Sequence, residues 1–160
     1  MTRSPSYENL FKCFLTDVEK RKNIDYCDKN SIRRYNAAMD RIIKVSRQIS
    51  EMYPDHIDEF SSLLNSDDIK LQLTCACMMV QFMNCTEKQL YRAQKWIIEY
   101  CCNYANGAEK MAFEVMFEKH PPKSKEILDM ISEKNPFYAE PINIAELRKR
   151  LNSFNSNNQQ

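Results

Sequence analysis

The stretch from Ser66 to Met83, Ser-Asp-Asp-Ile-Lys-Leu-Gln-Leu-Thr-Cys-Ala-Cys-Met-Met-Val-Gln-Phe-Met, limits what this chain can fold into more than any other. Asn65, Ser66, Asp67 and Asp68 offer side chains that accept from the free N–H groups at a helix start and suit its positive end. Beyond them, Ile69, Leu73, Ala76, Cys77 and Val80 fall on one face, with Leu71, Cys75, Met78 and Phe82 on another. A helix apolar on nearly every side has to be packed between neighbours. With the Phe60–Leu64 turn before it, the pattern reads as a short helix, an Asp-rich turn and a buried helix. That organises a fold without naming a chemistry.

Glycine occurs once, at Gly107, against a usual share of about 7%. Hairpin turns, Rossmann loops and P-loops all need glycine, so β-rich and nucleotide-binding folds are strongly disfavoured. The charges nearly cancel, at +1, which argues against bulk attraction to nucleic acid or acidic membranes. Glu8, Asp17 and Glu19 interrupt the N-terminal region and predict no secretory signal. The longest apolar run, Cys75 to Val80, is far too short for a membrane span. Seven cysteines, an odd number without framework spacing, fit reduced thiols in a cytoplasmic protein.

The periodicity predicts a first helix over about 7–22, with Leu10, Phe11, Phe14, Leu15 and Val18 as its stripe. An Asp- and Asn-rich connector over 23–30 leads to the longest helix, about 31–52, carrying Ile32, Tyr35, Met39, Ile42, Ile49 and Tyr53 and closed by Pro54. A short helix over about 55–64 precedes the buried one. The fifth begins at Thr86, where Thr86 and Gln89 form a capping-box pattern, with Leu90, Ala93, Ile97, Tyr100, Cys101 and Tyr104 inward. Asn106-Gly107 breaks the chain before a sixth helix with Ala112, Phe113, Met116 and Phe117 inward, and a seventh over 123–132 carries Ile127, Leu128 and Ile131. Residues 135–142 read as extended. Asn143 and Glu146 then repeat the capping pattern ahead of Ile144, Leu147 and Leu151, and the polar residues 155–160 read as a disordered tail.

Tyr35-Asn36 in the long helix, Leu63-Leu64-Asn65-Ser66-Asp67-Asp68 entering the buried one, and Ala112-Phe113-Glu114 in the sixth together carry a resemblance. Over about 7–119 the chain resembles a family of small bacterial proteins, the HEAT-like domain of unknown function numbered two thousand and nineteen. HEAT-type repeats carry a Val-Arg pair after the Asp turn, where this chain has Ile69-Lys70. Cys75, Cys77 and Met78 stand where such helices favour glycine and alanine. The resemblance implies an all-α fold: a short HEAT-like α-solenoid of about seven or eight helices stacked as antiparallel pairs. One helical-repeat domain would then cover 1–154, with a family-like core over 7–119 and a helical extension over 120–154.

No catalytic or metal-binding constellation emerges. Cys75 and Cys77 lie about 200° apart on a helix, and Cys101 and Cys102 are adjacent, so neither pair suits a zinc site. These thiols read as small core hydrophobes. His56 and His120, the two histidines, are tied to no thiol or orienting carboxylate, as nucleophilic catalysis would require. Asp55, Asp58, Glu59, Asp67 and Asp68 cluster at helix starts, where the helix dipole already accounts for them.

The charge pattern says more. From Lys20 to Ser50 nine basic residues face three acidic ones, and from Glu51 to Asp68 six acids occur with no Lys or Arg. The plain reading is solvated faces pairing across a hairpin. The functional reading makes Arg34, Arg41, Lys44 and Arg47, joined by the border aromatics Tyr91 and Trp96, a partner-binding surface. The sequence thus predicts a non-enzymatic protein–protein interaction module without cofactor, of the kind that serves as an immunity or regulatory protein against a cognate effector. The alternative is nucleic-acid binding through the basic long helix.

Overall fold

The computed structural model describes residues 4–138. Among them lie seven α-helices and no strand: α1 Tyr7–Lys20, α2 Lys29–Met52, α3 Ile57–Ser61, α4 Ile69–Phe82, α5 Glu87–Asn103, α6 Gly107–Lys119 and α7 Lys125–Lys134. The fold is all-α. The predicted helix after Asn143 and the polar residues 155–160 lie outside the described residues.

Every helix start except that of α3 has a side-chain cap. Ser6 caps α1, Asp28 caps α2, and Asp68 accepts from the Lys70 and Leu71 N–H groups at the head of α4. The capping box at Thr86 and Gln89 is present. Asn106 and Glu109 make a second one, which the sequence reading took for a chain break. Gly107 is therefore the first residue of α6, and it does not take a positive φ. A non-glycine residue does: Asn135 closes α7 at φ 45°, where Asn is tolerated because its short side chain can bond locally.

α1 and α2 form an antiparallel pair. At one end the Tyr53 hydroxyl donates to the Pro5 carbonyl at 2.7 Å. At the other, the Arg21 guanidinium donates to the Tyr35 hydroxyl at 2.6 Å. α4 and α5 form a second antiparallel pair, and α4 touches α1, α2, α3 and α5. Phe14 and Phe60 meet edge to face at 4.8 Å. Around them Ile42, Ile49, Met79, Ile97, Ile98 and Ile127 are fully buried.

Several expectations shift. α1 stops at Lys20, and Arg21 and Lys22 close it in a turn. The single helix predicted over 55–64 is a 3₁₀ turn, the five-residue α3 and a second 3₁₀ turn. There the Ser61 and Ser62 hydroxyls bond back to the Asp58 and Glu59 carbonyls, competing with regular helix. In α4 the buried set is Cys75, Ala76, Met78, Met79 and Val80. Ile69, the first residue of α4, is exposed, and Leu73 and Cys77 are half-buried, packed against the edge of the core. Tyr104 and Ala112, expected inward, face out.

The Tyr7 hydroxyl is buried with no hydrogen-bond partner among the described residues, and burial is the main reason its ionisation is pushed up to about 12. Its ring stacks on His56 at 4.2 Å. Tyr7→Phe keeps the ring and removes the unpaired polar atom, so it should raise stability by about 1 kcal/mol. A lowered urea midpoint for this variant would mean that the hydroxyl is bonded in solution.

Candidate functional site

α2 has a core face and a solvent face because its apolar and small residues recur with the helical period. Ser31, Ala38, Ile42, Val45, Ser46, Ile49 and Ser50 are buried. On the opposite side Lys29, Arg33, Lys44 and Arg47 are exposed with Asp40 and Glu51, and Arg34 and Arg41 are exposed on a flank.

The geometry sorts these cations by what they touch. Arg41 belongs to the α1–α2 contact: its Nε and Nη2 reach the Asp17 carboxylate at 3.0 and 2.8 Å. Asp17 is only 4% exposed, so the fork supplies the countercharge a buried carboxylate needs. Arg47 lies over the Phe82 ring at 5.0 Å, tying α2 to the end of α4. Arg34 makes a loose contact with Asp28 at 3.7 Å, with three-quarters of its side chain in solvent. Lys29, Arg33 and Lys44 make no ion pair among the described residues. Lys44 and Arg47 border a shallow groove of about 410 Å³ together with Asp40, Ile43, Gln48 and Glu51.

Tyr91 and Trp96 lie apart from this row, on α5. The Tyr91 hydroxyl donates to the Glu126 carboxylate of α7 at 2.6 Å, a bond that raises its pKa. Trp96 stacks on Tyr100 at 5.4 Å. No hydrogen bond, ion pair or ring contact links either to α2 among the described residues. The six residues singled out in the sequence thus form a basic row on α2 and a separate aromatic pair on α5. The expected pairing between the basic and acidic blocks reduces to Lys22 with Asp68, which also lowers the Asp68 pKa.

A cleft of about 370 Å³ was not visible in the sequence. Arg21, Lys22, Tyr26, Tyr35, Lys70, Leu73, Tyr100 and Glu109 border it, contributed by five separate parts of the chain. The Arg21 guanidinium sits 4.3 Å from the Tyr35 ring centre, and its Nε is buried without a hydrogen-bond partner among the described residues. Burial, then the 2.6 Å hydrogen bond to Glu109, drives the Tyr100 pKa upward. No local spacing could have revealed this cleft, because only tertiary packing brings Lys70, Tyr100 and Glu109 to the end of α1.

All seven cysteines are free. Cys75 and Cys101 are buried. Desolvation raises the Cys75 thiol and pushes Cys77, Cys85 and Cys101 up to about 12. Cys77 shows part of its residue surface, yet its sulfur is desolvated. Such thiols are protonated at neutral pH and make poor nucleophiles. His56 meets Glu59 at 3.0 Å, and His120 follows the last residue of α6. Among the described residues no group of three His, Cys, Asp or Glu side chains could hold a metal ion, and no helix is long and apolar enough to cross a membrane.

No family model, curated protein or solved structure matches this chain.

Two outcomes follow from this geometry. Alkylation of the folded protein near pH 8, read by mass, should modify the exposed Cys13, Cys27 and Cys102 quickly and Cys75, Cys77, Cys85 and Cys101 slowly. Rapid modification of any of the second group would show a reactive thiol. Arg41→Ala should lower the urea midpoint because it leaves the buried Asp17 with only the more distant Lys20 at 3.7 Å, whereas Lys44→Ala should leave it unchanged. Equal midpoints would show that the Asp17 fork is dispensable.

Proposed function

We propose that this chain is a non-enzymatic interaction module, built as a short HEAT-like stack of antiparallel helix pairs, that binds another protein through the outer face of α2. The observation behind this reading is the row of Lys29, Arg33 and Lys44, cations with no intramolecular ion pair among the described residues on the solvent face of the longest helix. Arg34 and Arg47 border that row, and half-buried Ile43 lies in the groove beside Lys44. An acidic surface on a partner supplies the missing countercharges, and Ile43 gives the contact an apolar centre. In this reading the chain acts as an immunity or regulatory protein that neutralises a cognate effector.

The same cations raise the alternative of nucleic-acid binding. Two features favour the protein partner. Asp40 and Glu51 interleave with Lys44 and Arg47 and repel a phosphate backbone. Arg41 and Arg47, which would add to a phosphate track, are committed to Asp17 and Phe82. A partner with mixed charges fits this row better than a polyanion does.

The test is co-purification of the native protein with the products of the genes encoded beside it, in parallel with an Arg33→Glu/Lys44→Glu variant. Both positions are exposed, so the variant should fold with an unchanged urea midpoint. A protein held by the wild type and lost from the variant is the expected result. A chain that stays partnerless throughout would sink the proposal. Binding to generic DNA or RNA that weakens steeply with salt and disappears in the variant would replace it with the nucleic-acid reading.

A further inference from the structure

The turn that ends α1 leaves a guanidinium without a countercharge. Arg21 is half-buried, its Nη2 donates to the Tyr35 hydroxyl at 2.6 Å, and its Cζ lies 4.3 Å from the centre of the Tyr35 ring. No carboxylate pairs with it among the described residues, and its Nε is buried there without a hydrogen-bond partner. The neighbouring cations are better provided: Arg41 holds Asp17, and Lys22 holds Asp68 and Glu19. Buried donors in folded proteins are nearly always bonded, so one that is not calls for an acceptor.

Arg21 lies in the wall of the cleft of about 370 Å³. The Lys70 ammonium borders the same cleft. Its hydrogen bond goes to the Lys22 carbonyl at 3.4 Å, so it too meets no carboxylate among the described residues. The Tyr35 hydroxyl accepts from Arg21, which leaves its own proton to donate. The acceptors of the cleft are taken. Both oxygens of Glu109 are engaged, one by the Tyr100 hydroxyl at 2.6 Å and one by the Asn106 N–H at 3.4 Å. The Thr74 hydroxyl donates back to the Lys70 carbonyl at 2.8 Å. Val18, Ile24 and Leu73 supply carbon between these groups, and Tyr26 lines the cleft with 75% of its surface in solvent. A molecule entering this space therefore meets donors and apolar surface.

We infer that the cleft binds a small organic acid, an apolar body carrying one carboxylate or phosphate. The oxyanion accepts from Arg21, Lys70 and the Tyr35 hydroxyl, and the body packs on Val18, Ile24 and Leu73. A guanidinium presents a planar set of donors that matches two oxygens of a carboxylate or phosphate at once. The volume lies near the lower end of small-molecule sites, about 300–1,000 Å³, so the ligand is a single small molecule. A polyanion fits worse, because Glu19, Asp68 and Glu109 stand among the same cations and repel a continuous phosphate chain. The site uses none of Lys29, Arg33 and Lys44, so it stands or falls apart from the partner surface on α2.

The experiment is an NMR titration of the full chain that follows the Arg21 Nε–H signal and the amides of 22–26 and 70–74. Benzoate and phenyl phosphate carry the two oxyanions on one apolar ring, benzamide is the neutral counterpart, and inorganic phosphate lacks the ring. At least one of the two acids should give saturable shifts with a Kd on the order of 1 mM, as a ligand of about ten heavy atoms allows. The tighter of them identifies the oxyanion. Benzamide and inorganic phosphate should bind at least about tenfold more weakly. Lys70→Ala, at an exposed position, should keep the fold and weaken the acid about three- to tenfold, and Arg21→Ala should abolish its binding. Where Arg21→Ala alters the amide spectrum throughout, the Lys70→Ala result decides. No saturable shift with either acid would overturn the inference. So would equal binding of benzamide or inorganic phosphate, or an affinity that Lys70→Ala leaves unchanged.

Discussion

Packing around α4 sets the terms for the whole molecule. This helix meets α1, α2, α3 and α5 at once, and along its central turns only the line of Leu73, Thr74, Cys77 and Gln81 stays half-buried. Cys75, Ala76, Met78 and Met79 answer that constraint. Two are small enough to let neighbouring backbones approach, and two are flexible enough to fill irregular gaps. The thiol chemistry follows from the packing. The environment that needs a small apolar side chain at Cys75 also removes water from its sulfur and keeps it protonated. Asp68 holds the head of α4 by accepting from its first N–H groups and pairing with Lys22 at the end of α1.

The sequence makes legible whatever rests on local rules. Helix starts follow from Thr86 with Gln89 and from Asp68, the end of α2 follows from Pro54, and the all-helical class follows from a single glycine. What it obscures depends on neighbours. Leu73 and Tyr104 carry the residue type of a core, but Leu73 borders the cleft at Arg21, and Tyr104, just past the end of α5, is exposed, and only packing decides that. The cleft at Arg21 and Tyr100 draws on five separate parts of the chain. The Asn106 box was hidden for another reason: beside a glycine the pair looks like a turn, although Asn106 and Glu109 have the same spacing as Thr86 and Gln89.

The basic helix shows how far charge counting goes. Counting identifies a block of cations, but each one's role depends on what lies across the gap. Arg41 and Lys44 are three residues apart and both exposed along α2, yet the first completes a buried carboxylate of α1 and the second faces solvent. Buried charge needs a partner of fixed geometry. A surface cation without one keeps its full hydration, and it contributes to binding only when a partner replaces that water. Surplus of this second kind on a helix that also carries Asp40 and Glu51 suits recognition of a mixed surface better than tracking of a uniform polyanion.

The outward faces of α1 and α6 carry different demands. The outer face of α1 is polar and needs nothing further, while the two apolar sides of α6 ask for a layer on each. That asymmetry separates the surfaces by physical type. The α2 face is governed by exposed charge, whose interactions salt screens. The α6 face is governed by apolar area, which salt does not screen.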